Sequence, residues 1–184
     1  MNDNNTPTTD SNQIETKLAD LGLKIPERLK VPSNVKTPFI WVRVRGDKAY
    51  ISGHGPQNPD GSIAGPFGKV VEVGQEVGGG LEEQVSVEQA YESAKLAGLS
   101  ILGSLKRELG RLDRVTAWLQ VRGMVNTVQG FTQTADVING FSDLILTLYG
   151  PEVGIHARSA LGVQALPLGL PVIIEGLVEI DKDS

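Results

Sequence analysis

Apolar and polar positions change period several times along the chain, and each change marks an element. Ile14, Leu18 and Leu21 share a helical face and Gly22 follows as a stop, which predicts a short N-terminal helix. Pro26 and Pro32 then hold an extended lead-in. From Phe39 the period becomes two: Ile40, Val42 and Val44 alternate with Phe39, Trp41, Arg43 and Arg45. Gly46-Asp47 is a two-residue turn and residues 48–52 return, which predicts a β-hairpin. Residues 53–80 are rich in glycine and proline and read as a long loop region, with a strand at 69–73 inside it. The segment 86–109 is the clearest helix. Ser86 and Gln89 fit a capping box, Val87, Ala90, Ala94, Ala97, Ile101, Leu105 and Leu109 form the stripe, and Gly110 stops it. Val115, Ala117, Leu119 and Val121 alternate with Thr116, Trp118, Gln120 and Arg122 as a half-buried strand. A second long helix covers 132–149, with Ile138, Phe141, Ile145 and Leu148 inward and Gly150-Pro151 as its end. Two extended runs close the chain, 159–163 and 172–180, separated by the break at Leu166-Pro167.

This order, β-β-α-β-α-β-β, predicts an α+β fold. Strand–helix–strand crossovers share one hand, so both long helices fall on one face of a mixed sheet. The other face stays uncovered. With Trp118 expected on it, that face invites self-association. Residues 1–12 carry almost no large apolar side chain and are expected to form a disordered tail, leaving 13–184 as one domain.

Composition narrows the function classes. The 184 residues carry a net charge of −5, which gives no electrostatic basis for a nucleic-acid partner. There is no cysteine, so thiolate nucleophiles and thiolate metal sites are excluded, and the two histidines, His54 and His156, lie far apart and argue against a zinc site. No apolar run reaches the ~20 residues of a membrane span, and the chain start lacks a signal-peptide pattern. A soluble, cytoplasmic protein with no membrane partner is expected. Nucleotide-cofactor motifs fail too. Gly53-His54-Gly55 lacks a third glycine and a helix start, and no Walker lysine follows Gly78-Gly79-Gly80. Ser52-Gly53 has no glycine two residues before the serine, so a hydrolase elbow is absent.

The densest chemistry lies near the C-terminus, in Gly154-Ile155-His156-Ala157-Arg158-Ser159-Ala160-Leu161-Gly162-Val163. Arg158 opens a strand of small residues that leave space beside its guanidinium. Such an arginine either grips a planar carboxylate through two parallel hydrogen bonds or forms an ion pair with Glu175 or an interface carboxylate. His156 either adds a donor to the same anion or makes a structural contact. His54, at the mouth of the loop, either lines a pocket or is structural, and Gly78-Gly79-Gly80 is either a lid hinge or a solvated turn.

The run His156-Ala157-Arg158-Ser159 with Leu166-Pro167 resembles the C-terminal signature of the RidA/YjgF proteins, also called the endoribonuclease L-PSP family. Pro38-Phe39, the stretch Ala49-Tyr50-Ile51-Ser52-Gly53 with Pro56, and Val137-Ile138-Asn139-Gly140 resemble its opening hairpin and second-helix motifs. The resemblance spans roughly residues 16–180 and looks like a longer, less characterised branch. It implies a chorismate-mutase-like α+β fold, a mixed β-sheet with two helices on one face, assembled as a homotrimer with clefts between subunits. It also implies hydrolysis of small carboxylate-bearing enamines and imines to oxo acids and ammonia, with no cofactor and no metal.

In that resemblance Arg158 holds the substrate carboxylate, and Asn139 and the backbone near Ala160 line the pocket. Two positions depart from the family. Its water-holding glutamate falls on Ile173, with Glu175 two residues on and ~6.5 Å away along a strand. Its tyrosine after the hairpin proline is Phe39. The expected substrate-binding set is therefore Arg158, Asn139, Ala160, Phe39, Ile173, His54 and His156, with Arg158 and Glu175 as the catalytic pair. A non-catalytic trimeric carboxylate binder or regulator is the alternative, and chemistry on a larger or aromatic metabolite a third. Ribonuclease activity comes last, since no basic run is present.

Overall fold

The computed structural model describes residues 12–31, 36–74 and 84–181. The expected tail up to residue 11, Pro32 and the triple glycine Gly78-Gly79-Gly80 lie outside them. In chain order the elements are α1 (Gln13–Asp20), β1 (Val42–Arg45), β2 (Lys48–His54), β3 (Lys69–Val70), β4 (Gln84–Val85), α2 (Val87–Leu109), β5 (Val115–Asn126), α3 (Thr134–Gly154), β6 (Ala157–Val163) and β7 (Val172–Ile180). Five strands form a mixed sheet in the order β1-β2-β7-β5-β6, in which only β5 and β6 run parallel. The last strand of the chain thus lies at the sheet's centre. Its alternation explains why: Val172, Ile174, Val178 and Ile180 are at most 3% exposed, while Ile173, Glu175, Leu177 and Glu179 turn to the opposite face.

Helices α2 and α3 pack on each other and on one face of this sheet. The capping box predicted for α2 is present in both directions, and Gly110 ends the helix at φ +84°, a conformation that favours glycine. Helix α3 buries Ile138, Phe141, Ile145 and Leu148, then breaks at Gly150 (φ +74°) before one more turn. The two helices approach closely at Gly140, where an added Cβ would overlap the Tyr91 carbonyl oxygen. The glycine of the Val137-Ile138-Asn139-Gly140 motif is therefore a packing requirement.

Several expectations need correction. Trp118 is buried among the helices, 2% exposed and edge-on to Phe141 and Tyr149 at 5.5 and 6.0 Å between ring centroids. Register shifts in β5 against β7, at Val115/Ala117 and at Trp118/Gln120, reverse the alternation twice. The uncovered face is formed by other residues, among them Tyr50, Gln120, Arg122, Glu175 and Leu177. Phe39 and Ile40 precede the first strand and are 51% and 53% exposed, because pairing with β2 starts in earnest only at Val42. The strand expected at 69–73 shrinks to two residues paired with β4; Val70 is wholly buried, whereas Val73 is fully solvent-exposed. Leu21 caps α1 and is exposed, so Ile14 and Leu18 alone anchor that helix.

Helix α1 is also tied by polar contacts. The Asp113 carboxylate accepts from the Gln13 and Ile14 amides at 3.2 and 3.4 Å, and Lys17 donates to the Leu148 carbonyl at 2.8 Å. The extended lead-in then runs over α2 and is fastened by Glu27 N–H to Pro59 O and Lys30 N–H to Gly61 O, both 3.0 Å.

Replacing Gly140 by alanine is expected to lower the unfolding free energy by about 3 kcal/mol, because backbone rather than a flexible side chain must yield. Urea denaturation at fixed protein concentration measures this; a loss below the noise of the method would mean that α2 and α3 do not meet at this point.

Candidate functional site

Arg158 lies beside Val121 on the edge strand β6 and so faces the helices. Its guanidinium reaches under α3, where Ala135, Asn139 and Ser142 recur on one helical face. Nη1 donates to Asn139 Oδ1 at 2.9 Å and to Ser142 Oγ at 3.0 Å, and Nη2 to the Ala135 carbonyl at 3.5 Å. All three acceptors are neutral. Among the described residues no carboxylate lies within ion-pair distance of Arg158. The ion pair with Glu175 that the sequence left open does not form: β5 lies between the two strands and sets Arg122 opposite Glu175, with Nη1 to Oε1 at 2.8 Å. Ala160, two residues on, has its carbonyl bonded by Thr134 Oγ1 at 3.2 Å.

His156 takes part in this arrangement from behind. Its Nδ1 lies 2.7 Å from the Gly154 carbonyl, which can only accept, so Nδ1 carries the proton. Nε2 then accepts from the Ser142 hydroxyl at 3.0 Å, and Ser142 in turn uses a lone pair for Arg158. Burial lowers the pKa of His156, and the Arg158 charge lowers it further, against the Gly154 carbonyl. Both ring nitrogens are thus engaged within the protomer, and the imidazole orients Ser142.

The same pattern occurs a second time. His54 is 4% exposed; its Nδ1 donates to the Ser52 carbonyl at 2.6 Å and its Nε2 lies 2.8 Å from Ser104 Oγ, which accepts from Arg107 Nη2 at 3.1 Å. Burial pushes the pKa of His54 down to about 4, helped by the Arg107 charge and opposed by the Ser52 carbonyl.

His54 belongs to the wall of a cavity of about 630 Å³, together with Phe39, Trp41, Leu170 and Ile173. Trp41 packs on the His54 ring at 5.0 Å and on Phe39 at 5.1 Å between centroids. The cavity sits outside the β1–β2 side of the sheet, whereas Arg158, Asn139, Ala160 and His156 gather at the β6 edge. Glu175 lies apart from both, on the uncovered face. Within one protomer the expected site residues therefore fall into three places. Sequence reasoning missed Ser142, Ser104, Trp41 and Arg107. Ser142 was accessible, since it follows Asn139 by three residues on a predicted helix. Arg107 was not, since its role depends on the lead-in folding back across α2.

No protein-family model matches the chain. Protein TCP17 of Trypanosoma cruzi is 32% identical over 172 residues, covering 94% of this chain and 97% of that protein. Among solved structures, Atu1372 of Agrobacterium tumefaciens, a protein of unknown function, is 32% identical with a TM-score of 0.75, covering 94% of each chain. A provisionally named endoribonuclease of Shewanella oneidensis MR-1 is 24% identical with a TM-score of 0.74, covering 92% of this chain and all of that one. Escherichia coli TdcF with bound serine is 15% identical with a TM-score of 0.53, covering 86% and 99% of the two chains. The chain shares the fold of the RidA/YjgF proteins. The mixed sheet with its helices on one face is the RidA-like fold. No helix among the described residues is long and apolar enough to cross a membrane, and no group of three or more His, Asp or Glu there could hold a metal ion.

The buried neutral histidine makes the stability of this protein pH-dependent. Above pH 6.5 folded and unfolded chains both hold His54 neutral, and its stabilising contribution is full. Between pH 6.5 and about 4 the unfolded chain takes up a proton that the folded one refuses, so stability falls, by about 3 kcal/mol from this group. Urea denaturation of wild type and His54→Gln across this range should give a difference that shrinks as the pH drops; a flat difference would show that His54 titrates normally in the fold.

Proposed function

We propose that this protein hydrolyses small carboxylate-bearing enamines and imines to 2-oxo acids and ammonia, without a cofactor, in a cleft between protomers of a homotrimer. The observation that carries this reading is the Arg158 guanidinium, oriented by neutral acceptors and left with its charge for an anion. The serine bound by TdcF, a protein of like fold, is a small carboxylate and supports the substrate class. The separation of the site residues supports a cleft between protomers: Arg158, Asn139, Ala160 and His156 would come from one, and Phe39, Ile173 and His54 from the next. The uncovered sheet face, with Tyr50 51% and Leu161 46% exposed, is the surface a trimer would bury. A single cytoplasmic domain over 13–184 belongs to the same proposal.

The chemistry asks little of the protein. Once the enamine has tautomerised, the iminium carbon is electrophilic, and holding the carboxylate on Arg158 presents it to one water. The water oxygen bonds to that carbon and gives up a proton to a carboxylate base, for which Glu175 is the candidate. The carbinolamine nitrogen then takes that proton back from the carboxylate, the C–N bond breaks with its electron pair leaving on ammonia, and loss of the hydroxyl proton leaves the oxo acid. Asn139 and Ser142 keep the guanidinium still while this happens.

One observation favours a second reading, a carboxylate binder without turnover. Glu175 already has one carboxylate oxygen engaged by Arg122 at 2.8 Å, and Ile173 supplies no proton acceptor. Freshly generated 2-iminobutyrate separates the two. The deaminase reading expects ammonia release well above the buffer rate, a loss of roughly a hundredfold or more in Arg158→Ala, equivalent to about 3 kcal/mol, and a smaller loss in Glu175→Gln. If no acceleration is found while wild type binds 2-oxobutyrate and Arg158→Ala does not, the binder reading replaces it.

A further inference from the structure

The cavity beside His54 is far larger than a four-carbon acid requires. Its volume of about 630 Å³ lies in the range that accommodates ligands with a substantial apolar body. Its apolar walls are closely fitted. A Cβ on Gly53 would come within 2.8 Å of Ile173 and one on Gly55 within 2.7 Å of Leu170, so both glycines let the backbone press against these side chains. Trp41 and Phe39 add an aromatic wall.

The charge of the lining is one-sided. Arg28, Lys30, Lys36 and Arg107 all line the cavity and, among the described residues, no Asp or Glu does, in a chain whose net charge is −5. Lys30 is paired with Asp60 at 3.1 Å, which leaves Arg28, Lys36 and Arg107 as the basic pole. Arg107 is held in place by neutral partners: Nη1 donates to the Pro26 carbonyl and Nη2 to Ser104 Oγ, each at 3.1 Å. The hydroxyl proton of Ser104 is committed to His54, so the serine can only accept from Arg107. These bonds use two of the five guanidinium N–H groups. Among the described residues no carboxylate lies within ion-pair distance of Arg107. Two arginines facing one largely apolar cavity repel each other, and a bound anion removes that cost.

We infer that this cavity binds a carboxylate carried on an apolar, ring-bearing body, with the carboxylate on Arg107 and Arg28 and the ring against Trp41 and Phe39. Every group named belongs to one protomer. The cavity shares Phe39, Ile173 and His54 with the proposed hydrolase cleft, but its anion is held by Arg107 and Arg28 and not by Arg158, so the inference goes beyond the imine-hydrolase reading and does not require it.

Trp41 provides the signal, since the only other tryptophan, Trp118, is buried beneath Phe141 and Tyr149. Titrating the full chain with 3-phenylpropanoate should change the fluorescence saturably, with calorimetry giving the same affinity. Acetate, which lacks the ring, and 3-phenylpropanamide, which lacks the charge, should each bind roughly tenfold more weakly or worse. Arg107→Gln should weaken binding of the acid by a similar factor, and Arg28→Gln, at an exposed position, by about threefold. The second variant keeps the test decisive if the first does not fold. Binding of the amide as tight as that of the acid would overturn the inference. So would unchanged affinity in the folded arginine variants, or a loss confined to Arg158→Ala, which would assign the anion to the other edge of the sheet.

Discussion

The register of β7 between β2 and β5 is the constraint on which the rest of this molecule depends. A strand with one buried face has little freedom to slip, because a shift of one residue would send Val172, Ile174, Val178 and Ile180 to the uncovered side. That register sets Glu175 opposite Arg122 and so removes the acid that could have neutralised Arg158. It also brings Ile173 against Gly53 at the cavity wall. One packing decision at the centre of the sheet thus determines which charges are satisfied at its edges.

The two histidines show how a fold can steer an arginine without spending its charge. In each case a backbone carbonyl two residues upstream fixes the tautomer, Gly154 for His156 and Ser52 for His54. The other ring nitrogen then accepts a hydrogen bond from a helical serine hydroxyl, and the serine oxygen accepts one from the guanidinium. A carboxylate in the serine's place would hold the arginine more tightly but would also neutralise it. Chains of this kind polarise one another and are costly to break in part, which is consistent with the burial of His54 and the half-burial of His156.

Much of the architecture was legible from local pattern. Helix α2 was delimited at both ends by Ser86, Gln89 and Gly110, because caps are local events that involve only neighbouring backbone groups. The bounds of β7 followed from its alternation. The errors have an equally physical origin. A β-bulge inserts a residue with no compositional mark, so Trp118 was assigned to the wrong face. Phe39 and Ile40 have strand-like side chains but too little partner strand beside them.

For the site the division is sharper. The residue types and spacings alone singled out Arg158 and excluded thiolate chemistry, and the family resemblance added Asn139 on the preceding helix. They could not say whether Arg158 meets an acid, since that depends on which strand lies between β6 and β7. Nor could they show Arg107 and Arg28 facing one cavity, because the lead-in, α2 and the loop after β2 meet only when the chain folds back on itself. Local sequence determined the elements and the candidate anion grip; long-range packing decided which charges were left without a counter-charge, because electrostatic pairing depends on distance in space and not on distance along the chain.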